Sequence, residues 1–181
     1  DRGEDAPKGR EEASQRQQAP APAPDPEQFR YVQVSASSEY PSNRTYSYGP
    51  DNAIDGNPET WWGEGAEDDG LGEYLQVSWT GAKDVHEVRL IPGYLKYEAD
   101  KYGDRWTLNN RIRKAEILFS GGRSFEQPFE DTKGWHTVVV DPPEEAEWVR
   151  VIVRDIYPGY SRKGTRVKDS GISEIEVWGV E

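Results

Sequence analysis

From residue 29 onward every apolar pattern in this chain is short and alternating, and no window sustains the repeat of an amphipathic helix. Side chains of a strand point to opposite faces in turn, so polar–apolar alternation marks strands with one buried face. Strands are expected over residues 31–37, 73–79, 85–91, 115–119, 134–140, 148–156 and 172–180. The run Val149-Arg-Val-Ile-Val153 is β-branched at four of five positions, as suits a strand packed between neighbours. Gly81, Pro92-Gly93, Gly121-Gly122, Pro142-Pro143 and Pro158-Gly159 read as the turns between them. Helix is limited to a turn or two within residues 59–67 or 109–114. Many short strands with Gly/Pro turns imply an all-β sandwich or barrel.

Residues 1–28 contain no aromatic residue and no Val, Ile or Leu, and they carry an Ala-Pro alternation at 19–24. Such a segment cannot bury enough apolar surface to offset the entropy of ordering it. It reads as a disordered Pro- and charge-rich linker, and residues 29–181 as one folded domain. The chain has 181 residues, no Cys and no Met, and begins at Asp1. The absence of Cys excludes disulfides, thiolate metal sites and a cysteine nucleophile. The first residue and the lack of Met suggest a piece of a longer precursor, with any leader or anchor upstream. No apolar run approaches the roughly 20 residues that cross a bilayer, so no membrane insertion by this segment is expected. A net charge of −12 argues against nucleic-acid binding through bulk charge.

The motifs add a more specific signal. Asn52-Ala-Ile-Asp-Gly-Asn-Pro-Glu-Thr-Trp-Trp62 is an oxygen-rich turn followed by two large aromatics, and Gly72-Glu-Tyr-Leu-Gln-Val77 leads into a strand. Downstream come Ile91-Pro-Gly-Tyr-Leu-Lys96, Asn109-Asn-Arg-Ile-Arg-Lys-Ala-Glu116, Asp155-Ile-Tyr-Pro-Gly159 and Asp169-Ser-Gly-Ile-Ser-Glu-Ile-Glu-Val177. In this order they resemble the NADase-type glycan-binding domain, a branch of the discoidin-like, galactose-binding-like group. The resemblance covers residues of about 30–181. It implies a discoidin-like jelly-roll β-sandwich that holds a ligand rather than transforming it. Three departures stand out: Pro92 where Asn is expected, Gly171 where Cys is common, and a basic insertion over residues 160–168.

Within the oxygen-rich turn, Asn52, Asp55, Asn57 and Thr60 offer the hard oxygens that calcium prefers. The resemblance implies a further carboxylate from the last strand, where Glu174 matches. The same turn also reads as a hydrogen-bonded loop with no ion; if calcium is present, its role is structural. For the ligand, Trp62, Glu64, Tyr94, Lys96, Tyr97, Asn109, Asn110, Arg111, Tyr157 and Tyr160 fall in expected loops that a sandwich gathers at one end. Aromatic faces with a few polar groups suit a sugar. The alternative is that the Asn residues satisfy loop backbone groups, while Trp61, Trp79, Trp148 and Trp178 pack in the core or against the sheet.

Charge is segregated, with six acidic residues over 59–73 and four basic ones over 105–114. Arg162, Lys163, Arg166 and Lys168 follow. These runs read either as solvated faces or as a basic rim selecting an anionic glycan. His86 and His136 lie inside expected strands, and no serine-hydrolase elbow, phosphate loop or His-rich metal spacing occurs. With the resemblance, the reading is a non-catalytic, monomeric module for a glycan or cell-wall polysaccharide, extracellular or at a bacterial cell surface and tethered through the N-terminal linker to an upstream anchor or enzyme domain. A protein-adhesion module, or an accessory targeting domain of an upstream enzyme, is the alternative.

Overall fold

A computed structural model describes residues 23–99 and 102–181; most of the expected linker, residues 1–22, lies outside them. The strands are β1 (Glu27–Gln28), β2 (Gln33–Ala36), β3 (Trp62–Gly63), β4 (Tyr74–Leu90), β5 (Tyr97–Glu98), β6 (Gly103–Asp104), β7 (Arg111–Phe119), β8 (Ser124–Pro128), β9 (His136–Tyr157), β10 (Gly159–Tyr160), β11 (Arg166–Val167), β12 (Gly171–Ile172) and β13 (Ile175–Val180). A 3₁₀ turn spans Pro50–Ala53, and a single α-helical turn, α1, spans Arg105–Leu108. The helical turns thus fall at neither expected place: residues 59–67 contain β3 and residues 109–114 enter β7.

β4 and β9 organise the fold. Each was expected as two strands separated by a turn, at Gly81 and at Pro142-Pro143; each is instead one long, bent strand. The first half of β4 pairs with β2 and with the last half of β9 (Leu75 opposite Val151). Its second half pairs with β13 and with the first half of β9 (Val88 opposite Val138). The register slips between Ser78 and Lys83, and Gly81 takes the left-handed φ of 76° that lets the chain turn the corner. One sheet therefore carries β2, β4, β9, β7 and β8, and the facing sheet β1, β13 and the other halves of β4 and β9.

The alternation read from the sequence fills the space between. Leu75, Val77, Val88, Leu90, Ile117, Phe119, Val138, Val149, Val151, Val153 and Val177 are buried in one cluster. A second slip between Val85 and Glu87 explains why the buried phase moves from Val85 to Val88 rather than to Glu87. At the corner, Trp79 donates its indole N–H to the Ala146 carbonyl (3.0 Å) and meets Phe29 edge-on at 4.9 Å. Glu27 and Gln28, read as linker, pair with Gly179 and Trp178.

Because β4 and β9 double back, all four of their ends lie at the end away from the corner. There β3 pairs with β12, β5 with β6 and β10 with β11. The β3–β12 contact is close: a Cβ on Gly171 would lie 1.9 Å from the Trp62 carbonyl oxygen and 2.8 Å from the Trp61 ring. No side chain, the expected Cys included, fits at position 171 without moving β3 or β12. Gly171→Ala is predicted to destabilise the domain by about 1–3 kcal/mol, seen as a lower urea midpoint; an unchanged midpoint would mean that β12 relaxes freely.

Candidate functional site

The loops at this end enclose a cavity of about 400 Å³. Its walls are Tyr40, Tyr46 and Tyr48 from the loop after β2, Trp61 before β3, Tyr94 after β4, and Tyr102 and Arg105 around β6 and α1. Asn43, Leu108, Asn109, Ser161, Val167 and Asp169 complete it. Trp61 and Tyr94 stack face to face, with centroids 4.6 Å apart and planes 6° from parallel. Burial pushes the Tyr94 hydroxyl well above its ordinary range, so it stays protonated. Both rings are almost wholly buried, and the Trp61 Nε1–H has no acceptor among the described residues.

Charge at the cavity is arranged rather than scattered. The Arg105 guanidinium lies 3.8 Å from the centroid of Tyr102 and 5.5 Å from those of Tyr46 and Tyr94. It donates to Glu98 from Nη2 at 2.8 Å, and the Tyr46 hydroxyl donates to the same carboxylate at 2.8 Å. Lys96 Nζ lies 3.4 Å from Glu98 and 4.9 Å from the Tyr46 centroid. Burial acts to raise the Glu98 carboxyl, but hydrogen bonds from Arg105 and Tyr46 and the charges of Arg105 and Lys96 outweigh it and hold Glu98 at about 2. Arg105 and Lys96 thus share one carboxylate. Asp169 has no such partner: its half-buried carboxylate makes no side-chain hydrogen bond among the described residues, and burial alone raises its pKa.

Of the ten expected ligand residues, Tyr94 and Asn109 line this cavity, and Lys96 borders it through Tyr46. Trp62 does not: it is fully buried and donates to the Ser38 carbonyl, while its neighbour Trp61, read as core, forms the wall. Glu64 is buried and accepts from the Ser170 and Ala66 N–H groups. Asn110 is buried and spends both side-chain ends internally, donating to the Lys168 carbonyl at 2.7 Å and accepting from Gly159 N–H at 3.0 Å. Arg111 grips Asp131 through two hydrogen bonds (Nε to Oδ1 at 3.0 Å) and donates to the Asn109 and Pro158 carbonyls. Tyr157 donates to the Phe129 carbonyl at 3.0 Å and lies outside the cavity. Tyr97 and Tyr160 stand on a neighbouring cleft. Buried polar side chains whose hydrogen bonds are all internal hold loops in place, and sequence alone cannot separate them from ligand contacts.

Tyr40, Tyr46, Tyr48 and Asp169 are not picked out from the sequence, which has Tyr102 only as one of the loop aromatics and Arg105 only as the start of a basic run. One signal was available: three tyrosines within nine residues of a Pro-, Ser- and Asn-rich loop. The basic insertion forms the β10–β11 hairpin and supplies Ser161 and Val167. The basic run 105–114 is paired off, Arg105 with Glu98, Arg111 with Asp131, Arg113 with Asp155 and Lys114 with Glu126.

The oxygen-rich turn lies beside the last strand, as expected. The single Thr60 hydroxyl proton has Asp55 Oδ2 at 2.8 Å and the Asn57 carbonyl at 2.7 Å as alternative acceptors, and Oγ1 lies 3.4 Å from the Asn52 carbonyl. The side chains of Asn52 and Asn57 are spent on the loop itself, on the Ser47 and Trp61 carbonyls and on the Glu59 N–H. Glu174 faces Asp55, is 4% exposed, and its Oε1 is buried with no hydrogen-bond partner among the described residues. Burial and the facing Asp55 raise it to about 7. No group of three or more His, Cys, Asp or Glu side chains forms a metal cluster among the described residues; two carboxylates and several neutral oxygens are what meet here.

Residues 28–178 match the family model described as the NAD glycohydrolase translocation F5/8 type C domain, and the chain belongs to that family. Among solved structures it is similar to the family 32 carbohydrate-binding module of Clostridium perfringens NanJ, solved with galactose. Identity is 24%, the match covers 81% of this chain and 93% of that one, and the TM-score is 0.55. A second family 32 module from Clostridium perfringens, solved with GalNAc-β-1,3-galactose, matches at 18% identity over 81% of this chain and 94% of that one, with a TM-score of 0.56. An F5/8 type C domain from Bacteroides fragilis matches at 16% identity over 87% and 98%, with a TM-score of 0.58. No curated protein sequence matches the chain. The β-sandwich expected from the sequence is the fold these neighbours share.

Glu64 generates a pH prediction. Burial raises it to about 7 from 4.5, against the opposing effect of its two backbone donors, so the folded state keeps a proton that the unfolded state releases. Stability in chelator should therefore fall as pH rises from about 4.5 to 7, and Glu64→Gln should flatten that slope in urea titrations taken at several pH values. An equally steep slope in the variant would assign the titration to another group.

Proposed function

We propose that this chain is a non-catalytic glycan-binding module, extracellular or at a bacterial cell surface, whose ligand seats in the tyrosine-walled cavity. The observation that carries this reading is an aromatic enclosure of about 400 Å³ beside a carboxylate that no protein group has claimed. Small-molecule sites are concave, apolar-walled and fitted with a few polar groups, typically about 300–1,000 Å³ in volume. Sugars present apolar C–H faces to rings and hydroxyls to acceptors such as Asp169. The neighbours solved with galactose and with a galactose disaccharide support the same class of ligand. On a glycan array, Tyr40→Ala and Asp169→Ala should each weaken binding about tenfold with unchanged melting. If the parent protein binds no glycan, the reading fails.

A calcium ion completes it. Asp55 and Glu174 supply two carboxylates, Thr60 a hydroxyl, and Asn52 and Asn57 backbone carbonyls, a hard-oxygen set suited to this ion. An orphaned buried oxygen on Glu174, beside a second carboxylate, is what a cation would satisfy. The ion would be structural, tying the turn to the start of β13. Calcium at a hundred times its dissociation constant should add about 2.7 kcal/mol of stability, and Glu174→Gln should abolish the gain. A melting curve indifferent to chelator, with no calcium found by metal analysis, would exclude it.

A further inference from the structure

The cavity has a neighbour beyond Tyr102. Tyr102, Leu108 and Ser161 also form one wall of a second cleft, of about 360 Å³, whose other walls are Tyr97, Asp104, Thr107, Tyr160 and Arg162. Tyr97 and Tyr160 are 62% and 51% exposed, the state of rings available to stack on a ligand rather than on the core. Of the charged groups here, Asp104 is already used: it caps α1 through the Trp106 N–H and pairs with Lys133 at 2.7 Å. Arg162 has no ion-pair partner among the described residues, and its guanidinium makes one long contact, 3.5 Å, to the Ala99 carbonyl. The two compartments therefore differ in charge. The cavity holds the unclaimed carboxylate of Asp169, and the adjoining cleft the unclaimed cation of Arg162.

We infer that the two form one groove for an oligosaccharide, with a non-acidic terminal sugar in the cavity and a carboxylate- or sulfate-bearing sugar in the cleft of Tyr97, Tyr160 and Arg162. This rests on the glycan reading above. An acidic sugar in the cavity would face the Asp169 carboxylate, which has no cationic partner among the described residues, and like charges in a partly desolvated site repel. In the cleft the same group meets a free guanidinium, whose fork suits carboxylate and sulfate oxygens. The shared wall of Tyr102, Leu108 and Ser161 sets the two compartments side by side, within reach of neighbouring sugars of one chain.

The test uses an array of neutral, aminated, uronate-bearing and sulfated glycans, from monosaccharides to tetrasaccharides, followed by calorimetric titration of the best binder and of its terminal monosaccharide. The best binder should carry its acidic group on an internal sugar. Tyr160→Ala and Tyr97→Ala should each weaken that oligosaccharide about tenfold and leave the monosaccharide unchanged, with native melting curves. Arg162→Gln should remove the preference for acidic over neutral oligosaccharides, about tenfold, and added salt should shrink the preference in the parent. If the monosaccharide binds as tightly as any oligosaccharide and the tyrosine variants are silent, the cleft is no subsite although the cavity still binds sugar. If acidic and neutral oligosaccharides bind alike and Arg162→Gln changes nothing, the assignment of charge is wrong. Binding of no glycan by the parent removes the module reading and this one with it.

Discussion

The doubling back of β4 and β9 is the constraint on which this molecule depends. Each strand pairs with the other along almost its whole length and serves both sheets, so the sandwich closes around one cluster of buried aliphatic side chains. The corner requires a residue that accepts a left-handed backbone, which Gly81 supplies, and a slip in register so that both halves keep their apolar face inward. All four strand ends then face the same way. Without that geometry the loops holding Tyr46, Trp61, Tyr94, Arg105 and Asp169 would have no reason to meet.

What fixes those loops is a set of buried polar ties. Asn110 joins the start of β7 to the Lys168 carbonyl and to the backbone of Gly159, and Arg166 donates to both Asn110 and Asp69. Glu64 receives the Ser170 N–H, and Arg111 holds Asp131 and two carbonyls. Buried groups of this kind are costly if left unpaired, so satisfied networks give loops one arrangement. These residues are occupied within the chain, whereas the Asp169 carboxylate on the cavity wall has no side-chain hydrogen bond among the described residues.

Glu64 and Glu174 show two ways of keeping a carboxyl inside a protein. Both are driven up to about 7 by burial. Two backbone N–H donors partly offset that for Glu64, so its site is complete within the chain. Glu174 has one backbone donor, Asn57, but faces another carboxylate and leaves one oxygen without a partner among the described residues, an arrangement that is favourable only with a proton or a cation between them. The same comparison of charges separates Arg105, which shares Glu98 with Lys96, from Arg162, which has no ion-pair partner among the described residues.

The sequence by itself determined the all-β class, the alternating buried positions and the oxygen-rich turn, because alternation and turn chemistry are local properties; the place of Glu174 beside that turn came from the family resemblance. It also pointed to Tyr94 and Asn109 through their motifs. It could not tell Trp61 from Trp62, since adjacent residues on an extended segment face opposite ways and only the partner strand β12 decides which way is inward. Nor could it join residues 73–79 to 85–91 as one strand, because Gly81 reads equally as a turn and as a corner. Tyr46, Tyr102 and Arg105 gain their role only from the bend in β4 and β9, which brings loops distant in sequence to one mouth. Asn110 and Arg111 lose theirs for the same reason: tertiary structure supplies them with internal partners, and polar groups so satisfied are no longer available to a ligand.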